Sequence, residues 1–160
     1  MSFIPDPETA PDPVTQLSAA ERAFYARQLI LPEIGMAGQL KLKAARVAVL
    51  GAGGLGAPAL LYLAGAGVGE IIIIDDDSIE LSNLHRQVIH SYARAGNSKA
   101  ESAAETMRAL NPFITVTVIR ERLTDSNALT LLTGTDAVLD GSDNFEARYA
   151  VSAAAQQLGI

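Results

Sequence analysis

Residues able to do chemistry gather in a few short stretches between apolar runs. The connection Leu81–His90, LSNLHRQVIH, brings an amide, an imidazole and a guanidinium (Asn83, His85 and Arg86) within four positions. Upstream, VLGAGGLGAP sets Gly51, Gly53 and Gly56 in the spacing G-x-G-x-x-G, and Asp75 follows Gly56 by 19 residues. At a strand-to-helix turn, such glycines let backbone N–H groups approach a phosphate at the helix N-terminus. An acid ending the next strand accepts hydrogen bonds from ribose hydroxyls. The strand–helix–strand–acid order points to a nucleotide site, with glycines serving only tight helix–strand packing as the alternative. No Gly-Lys-Ser/Thr follows the glycines, so the turn is not a P-loop.

NAD is the usual ligand of this fingerprint, yet a dinucleotide's pyrophosphate is already served by the glycine turn and the helix dipole. It does not ask for several cations. Here Arg86 lies 11 residues after Asp75 and Lys99 opens the next helix, both in the connection after the second strand. LDGSDN, ending the fourth strand, offers Asp143 and Asn144 at the same edge. Two cations and a carboxylate suit a triphosphate with Mg²⁺: Arg and Lys neutralise departing pyrophosphate, and the carboxylate holds the hard cation through oxygen. The Asp75–Asp77 triplet suggests a metal cluster at first sight. Alternate residues on an extended chain point opposite ways, so Asp75 is kept for ribose and Asp77 for a supporting or turn role. His85 reads as a packing or hydrogen-bonding residue, with a substrate contact as the alternative, and His90 reads more firmly as structural.

The elements that must position these groups alternate along the chain. RVAVLG, EIIIIDD, ITVTVIR and DAVLDG read as strands. LGAPALLYLAGAG, SKAESAAETMRALNP, TDSNALTLLTG and NFEARYAVSAAAQQLG read as helices, with Ala100, Ala103, Met107 and Leu110 at helical spacing in the second. Repeated β-α units with strands this apolar predict an α/β fold, a Rossmann-like parallel sheet with helices on both faces. Before it, SAAERAFYARQLIL predicts a helix opened by a capping box, Ser18 with Glu21, and ended near Pro32, with Phe24, Leu29 and Leu31 toward a neighbouring surface. Residues 1–17 hold four of the seven prolines, three acids and no Lys or Arg, and read as a disordered tail. The expected organisation is thus tail 1–17, helical segment 18–45 and nucleotide-binding domain 46–160.

Composition bounds the function. At 160 residues, 49% hydrophobic and 19% charged, the chain has room for one domain with a proper core. A net charge of −6 argues against nucleic acid as partner, because phosphate neutralisation needs a basic face. The absence of Cys excludes disulfides, thiolate metal sites and a cysteine nucleophile in this chain. Neither an 18-residue apolar span nor a basic stretch ahead of an apolar one is found, so the expectation is a cytoplasmic protein without membrane attachment.

The blocks YARQLILPEIG, GAGGLG, GVGEIIIIDDDSIELSNLHRQ, GNSKAES, LNP and DGSDN, in this order and spacing, resemble the ThiF/MoeB/HesA family, bacterial relatives of ubiquitin-activating enzymes, over roughly Ala23 to Ile160. The resemblance implies ATP-dependent adenylation of the C-terminal Gly-Gly carboxylate of a ubiquitin-like sulfur-carrier protein, of the molybdopterin or thiamine type, with release of pyrophosphate. It aligns Gly54 with a glycine beside the nucleotide and Asp75 with the ribose acid. Asn83, Arg86 and Lys99 fall on phosphate-facing residues, and Asp143 on an aspartate associated with Mg²⁺ or the adenylate. Arg27 falls on an arginine that reaches the neighbouring subunit's site, which implies a homodimer. The expected nucleotide-binding set is Gly51, Gly53, Gly54, Gly56, Asp75, Ser82, Asn83, Arg86, Lys99, Asp143 and Asn144. The expected catalytic set is Arg27, Arg86, Lys99 and Asp143, and Asp143 alone would hold metal. No general base is needed, since the attacking carboxylate is ionised at neutral pH.

The family continues with a second sheet portion that receives the carrier's tail and often a C-x-x-C zinc site, so zinc is expected only in a part absent from this sequence. Ile160 reads as a cut edge before that portion, and the exposed strand edge predicts poor solubility or partner-dependent folding. A non-catalytic nucleotide-binding fragment and an NAD-binding oxidoreductase domain are the alternatives. A family branch acting on modified tRNA is disfavoured by the acidic balance.

Overall fold

Strand alternation builds the sheet and divides the core in two. In the computed structural model, which describes residues 16–160, four parallel strands run β1 Arg46–Leu50, β2 Glu70–Ile74, β3 Thr115–Ile119 and β4 Ala137–Asp140, in the order β3-β2-β1-β4. Val49 pairs in register with Ile73 on one side and Leu139 on the other. Successive strand residues face opposite ways. Val49, Ile71 and Ile73 therefore meet α4 (Gly56–Ala66) and α5 (Lys99–Leu110) on one face. Ala48, Leu50, Ile72 and Ile74 meet α6 (Ala128–Leu132) and α7 (Phe145–Leu158) on the other. Ile71–Ile74 are each no more than 1% exposed, and burying each such side chain contributes about 2 kcal/mol. The predicted helices on both faces are present.

Because all four strands are parallel, their carboxyl ends share one edge, and the loops after them converge there. Three short helices cover the opposite, amino edge: α1 Ala19–Phe24, α2 Ala26–Leu29 and α3 Gly35–Ala44. Gln28 Nε2 and Gln39 Nε2 both donate to Ala66 O, at the C-terminal end of α4, and Gly69 N donates to Leu42 O.

Several expectations need correction. The capping box forms, with Glu21 N to Ser18 Oγ at 3.1 Å and Ser18 N to Glu21 Oε2 at 2.7 Å. The single helix predicted behind it breaks at Tyr25, whose backbone (φ −90°, ψ 11°) turns its side chain into the interior. Phe24 and Leu31 remain 43% and 45% exposed. The tail assignment lies outside the described residues for 1–15, but Leu17 is 3% exposed, so the packed chain includes it. Leu110, at helical spacing with buried Ala103 and Met107, is itself 43% exposed because Asn111 takes the next place in the i, i+4 row Ala103–Met107–Asn111.

Fully buried Asn111 spends its side chain on three partners. Nδ2 donates to Tyr25 Oη at 2.8 Å and Ala64 O at 2.7 Å, while Oδ1 accepts from Phe113 N at 3.0 Å. Asn111→Ala strands these groups in an apolar setting. The expected cost is about 2–3 kcal/mol, read as a lower urea midpoint with unchanged slope. Among the described residues no helix is long and apolar enough to cross a membrane.

Candidate nucleotide-binding site

The site begins with how β1 hands over to α4. Gly51 takes φ +85°, a left-handed conformation that favours glycine, and its N–H donates to Ile74 O at 2.9 Å. Ala52 N donates to Asp75 Oδ2 at 2.7 Å. No side chain caps α4 and its first turn carries no acid, so its leading amides and dipole are left for an anion.

Beside this turn lies a cavity of about 430 Å³ at the carboxyl edge, lined from the segments after all four strands and taking in the meeting of β1 and β4. This is where the strand order reverses direction, the place at which parallel sheets open a crevice for ligands. Of the residues expected there, Gly51, Gly53, Gly54, Asp75, Arg86, Lys99, Asp143 and Asn144 line it together. Gly56, Ser82 and Asn83 do not, and neither does Arg27, which was expected at a neighbouring subunit's site. Gly56 acts sterically under the turn. Ser82 and Asn83 serve Arg86: its guanidinium donates to Ser82 O at 3.4 Å and Asn83 Oδ1 at 3.1 Å, so their oxygens, outside the cavity, position a cation that lines it. Asn144 has a structural duty, since its Oδ1 accepts from Ala147 N at 2.9 Å and caps α7. Arg27 is exposed on α2, next to Gln28, which is tied to the far end of α4, so it is remote from its own chain's cavity.

Charge is arranged before any ligand arrives. Lys99, 7% exposed, holds its ammonium 2.7 Å from Asp77 Oδ2. Burial raises the pKa of Asp75, opposed by hydrogen bonds from Ala52 N and Asp77 N and by the charge of Lys99. Each Asp75 oxygen receives one backbone N–H and keeps acceptor capacity for a hydroxyl. His85 is exposed, whereas His90 is buried and bridges Ala52 O and Ser102 Oγ. The Asp75–Asp77 triplet forms no metal cluster among the described residues.

Sequence reading missed Gln87, Arg122, Ser142 and Arg148, which also line the cavity. Gln87 Oε1 and Ser142 Oγ are buried there without a hydrogen-bond partner, a state polar atoms avoid unless something else completes them. Their signal was positional: Gln87 directly follows Arg86, and Ser142 sits inside DGSDN.

Gly54 provides a test of fit for a phosphate. Its φ is not positive, and a Cβ added there would stand no closer than 3.8 Å to any atom, the nearest being Arg86 Nε. The fold therefore has no need of glycine at this position, while a ligand approaching the backbone does. Gly54→Ala is expected to leave the melting temperature within about 2 °C and to weaken nucleotide binding about tenfold, separable by scanning and titration calorimetry.

Residues 25–160 match the ThiF family profile. The chain is 53% identical over 148 residues to the probable adenylyltransferase/sulfurtransferase MoeZ of Mycobacterium tuberculosis, covering 92% of this chain and 38% of MoeZ. It is 46% identical over 144 residues to the SAMP-activating enzyme E1 of Haloferax volcanii, covering 90% of this chain and 53% of that enzyme. The solved structure of E. coli tRNA N6-threonylcarbamoyladenosine dehydratase, TcdA, in complex with ATP superposes with a TM-score of 0.85 at 30% identity, over 89% of this chain and 58% of TcdA. The chain spans less than two thirds of each of these proteins.

Proposed function

Because the chain belongs to the ThiF family, we propose that it carries the nucleotide half of an adenylyltransferase that transfers AMP from ATP to the C-terminal glycine carboxylate of a ubiquitin-like sulfur-carrier protein. The observation that carries this reading is one cavity combining an uncapped glycine turn, two cations on separate elements, Arg86 and Lys99, and the Asp143 carboxylate. The name of MoeZ and the ATP bound to TcdA support it.

In this reading Asp75 accepts from the ribose and the first amides of α4 hold phosphate oxygens. A carboxylate oxygen of the carrier attacks the α-phosphorus, forming the acyl-phosphate bond. The bond from the α-phosphorus to the oxygen bridging to the β-phosphorus breaks, and pyrophosphate leaves with the electron pair. No proton is transferred, so the work is positioning and charge stabilisation. Arg86 and Lys99 meet the charge gathering on the departing group, and Arg27 is assigned to the same task in the partner subunit of a homodimer. Asp143 would hold Mg²⁺ through oxygen, one carboxylate completed by phosphates and water, and the cation would neutralise phosphate charge.

The test is ATP–pyrophosphate exchange. Exchange that requires a carrier ending in Gly-Gly, and disappears when its last glycine is removed, is the expected result. Exchange driven by modified tRNA instead would move the substrate to the nucleic-acid branch. ATP binding without exchange on any carrier would mark a non-catalytic nucleotide module.

A further inference from the structure

One residue of the glycine turn has no functional side chain, yet it is the best anchored. Ala52 is fully buried, its N–H donates to Asp75 Oδ2 at 2.7 Å, and its carbonyl oxygen lies 3.0 Å from His90 Nε2. A carbonyl only accepts, so Nε2 must carry a proton. Burial, together with the charges of Lys99 and Arg94, lowers the pKa of His90 against the opposing effect of its bond to Ala52, so the ring is neutral at neutral pH. Nδ1 is then an acceptor, and the Ser102 hydroxyl, 3.1 Å away on α5 and 2% exposed, donates to it. Ser102 thereby selects the tautomer that can grip Ala52.

The grip matters because of what lies across the same peptide bond. No described peptide is cis. In a trans peptide, the carbonyl of one residue and the N–H of the next point in opposite directions. Drawing the Ala52 carbonyl inward onto His90 turns the Gly53 N–H outward, toward the cavity that Gly53 lines. Asp75 holds the preceding peptide by the Ala52 N–H, so Ala52 is anchored on both sides and the Ala52–Gly53 peptide is held by its carbonyl before a ligand binds.

We propose that His90 is a positioning residue for phosphate binding: its neutral imidazole, set by Ser102, locks the Ala52–Gly53 peptide so that the Gly53 amide faces the nucleotide, a role that rests on reading the cavity as a nucleotide site. His90 touches no substrate. It works by removing the cost of reorienting a peptide when the anion arrives.

Nitrogen-15 NMR of the wild-type imidazole, with ATP titration of the Gly53 amide, tests this without any variant. A neutral Nε2–H ring and a large Gly53 amide shift on ATP binding are expected; an Nδ1–H ring, or a Gly53 amide that does not move, overturns the proposal. Calorimetry then compares variants. His90→Leu is expected to raise the ATP Kd about tenfold, the size of one lost hydrogen bond to a charged group, and His90→Gln, which keeps a donor, to return it to within about threefold of wild type. A packing role alone would lower the unfolding midpoint of both variants and leave the Kd of folded protein unchanged, which also overturns the proposal. Wild-type protein that binds no ATP overturns the nucleotide reading itself and this role with it. Wild-type binding matched by a folded His90→Leu variant removes only the role of His90.

Discussion

Lys99→Met is expected to lower ATP–pyrophosphate exchange about 10²–10³-fold while the protein stays folded. Methionine keeps most of the volume of the lysine stem, which is packed at the start of α5 with 9% of the side chain exposed. Asp77, the partner released by the substitution, has a side chain 65% exposed and stays hydrated, so the expected loss of stability is about 1 kcal/mol or less. The lost group is an ammonium already fixed by a 2.7 Å ion pair, with donors to spare after Asp77 takes one. Such a preorganised cation strengthens its interaction as charge builds on the leaving pyrophosphate, so kcat falls more than ATP affinity. Arg86→Ala, at the exposed mouth, is expected to show a comparable loss. Asn83→Ala, which only frees the guanidinium from Asn83 Oδ1, is expected to cost about tenfold. A Lys99→Met enzyme exchanging within about threefold of wild type would remove Lys99 from charge stabilisation.

These expectations show how far residue types alone carried the site. The continuously apolar strands RVAVL and EIIII, each followed by a helical pattern, made the parallel sheet legible, and parallel strands oblige the loops after β1, β2 and β4 to meet at one edge. Arg86, Lys99 and Asp143 could therefore be placed beside the glycine turn. What stayed hidden depends on which side chain turns inward within an aperiodic segment. In the connection after β2, Gln87, Ile89 and His90 are buried while His85, Arg86 and Val88 are exposed. Neither a period of 2 nor one of 3.6 describes that run. His85, the more conspicuous imidazole, faces solvent, and His90 reaches the glycine turn. Asn83 was placed at the phosphates by the family resemblance and Asn144 by its position in LDGSDN at the same edge, where it does line the cavity. Backbone and guanidinium donors claimed their oxygens first. The break at Tyr25 escaped notice for a similar reason, since its hydrogen bond comes from Asn111, 86 positions along the chain.

A large loss of stability is expected at Gly56, where Gly56→Ala should cost about 3 kcal/mol or more and leave little folded protein near the wild-type midpoint. A Cβ on Gly56 would lie 1.7 Å from Gly51 O and 2.8 Å from Gly51 C, backbone atoms that cannot rotate aside. Nor can Gly51 retreat easily. Its N–H is bonded to Ile74 O, and a Cβ built on it would already stand 3.0 Å from Gly141 O. The loop after β4 presses from the other side, with a Gly141 Cβ position 3.1 Å from Gly56 N. Relieving the clash would therefore push α4 off the sheet or part β1 from β4, and either motion opens the cavity along with the core. Urea unfolding of Gly56→Ala beside Gly54→Ala makes the comparison decisive. Both residues occupy the same fingerprint two positions apart, and neither has a positive φ that alanine would resist. A loss confined to Gly56 would show that packing of the turn against α4 requires glycine at 56 and not at 54. Equal stability of the two variants would contradict the close approach of α4 to β1 on which the geometry of the turn depends.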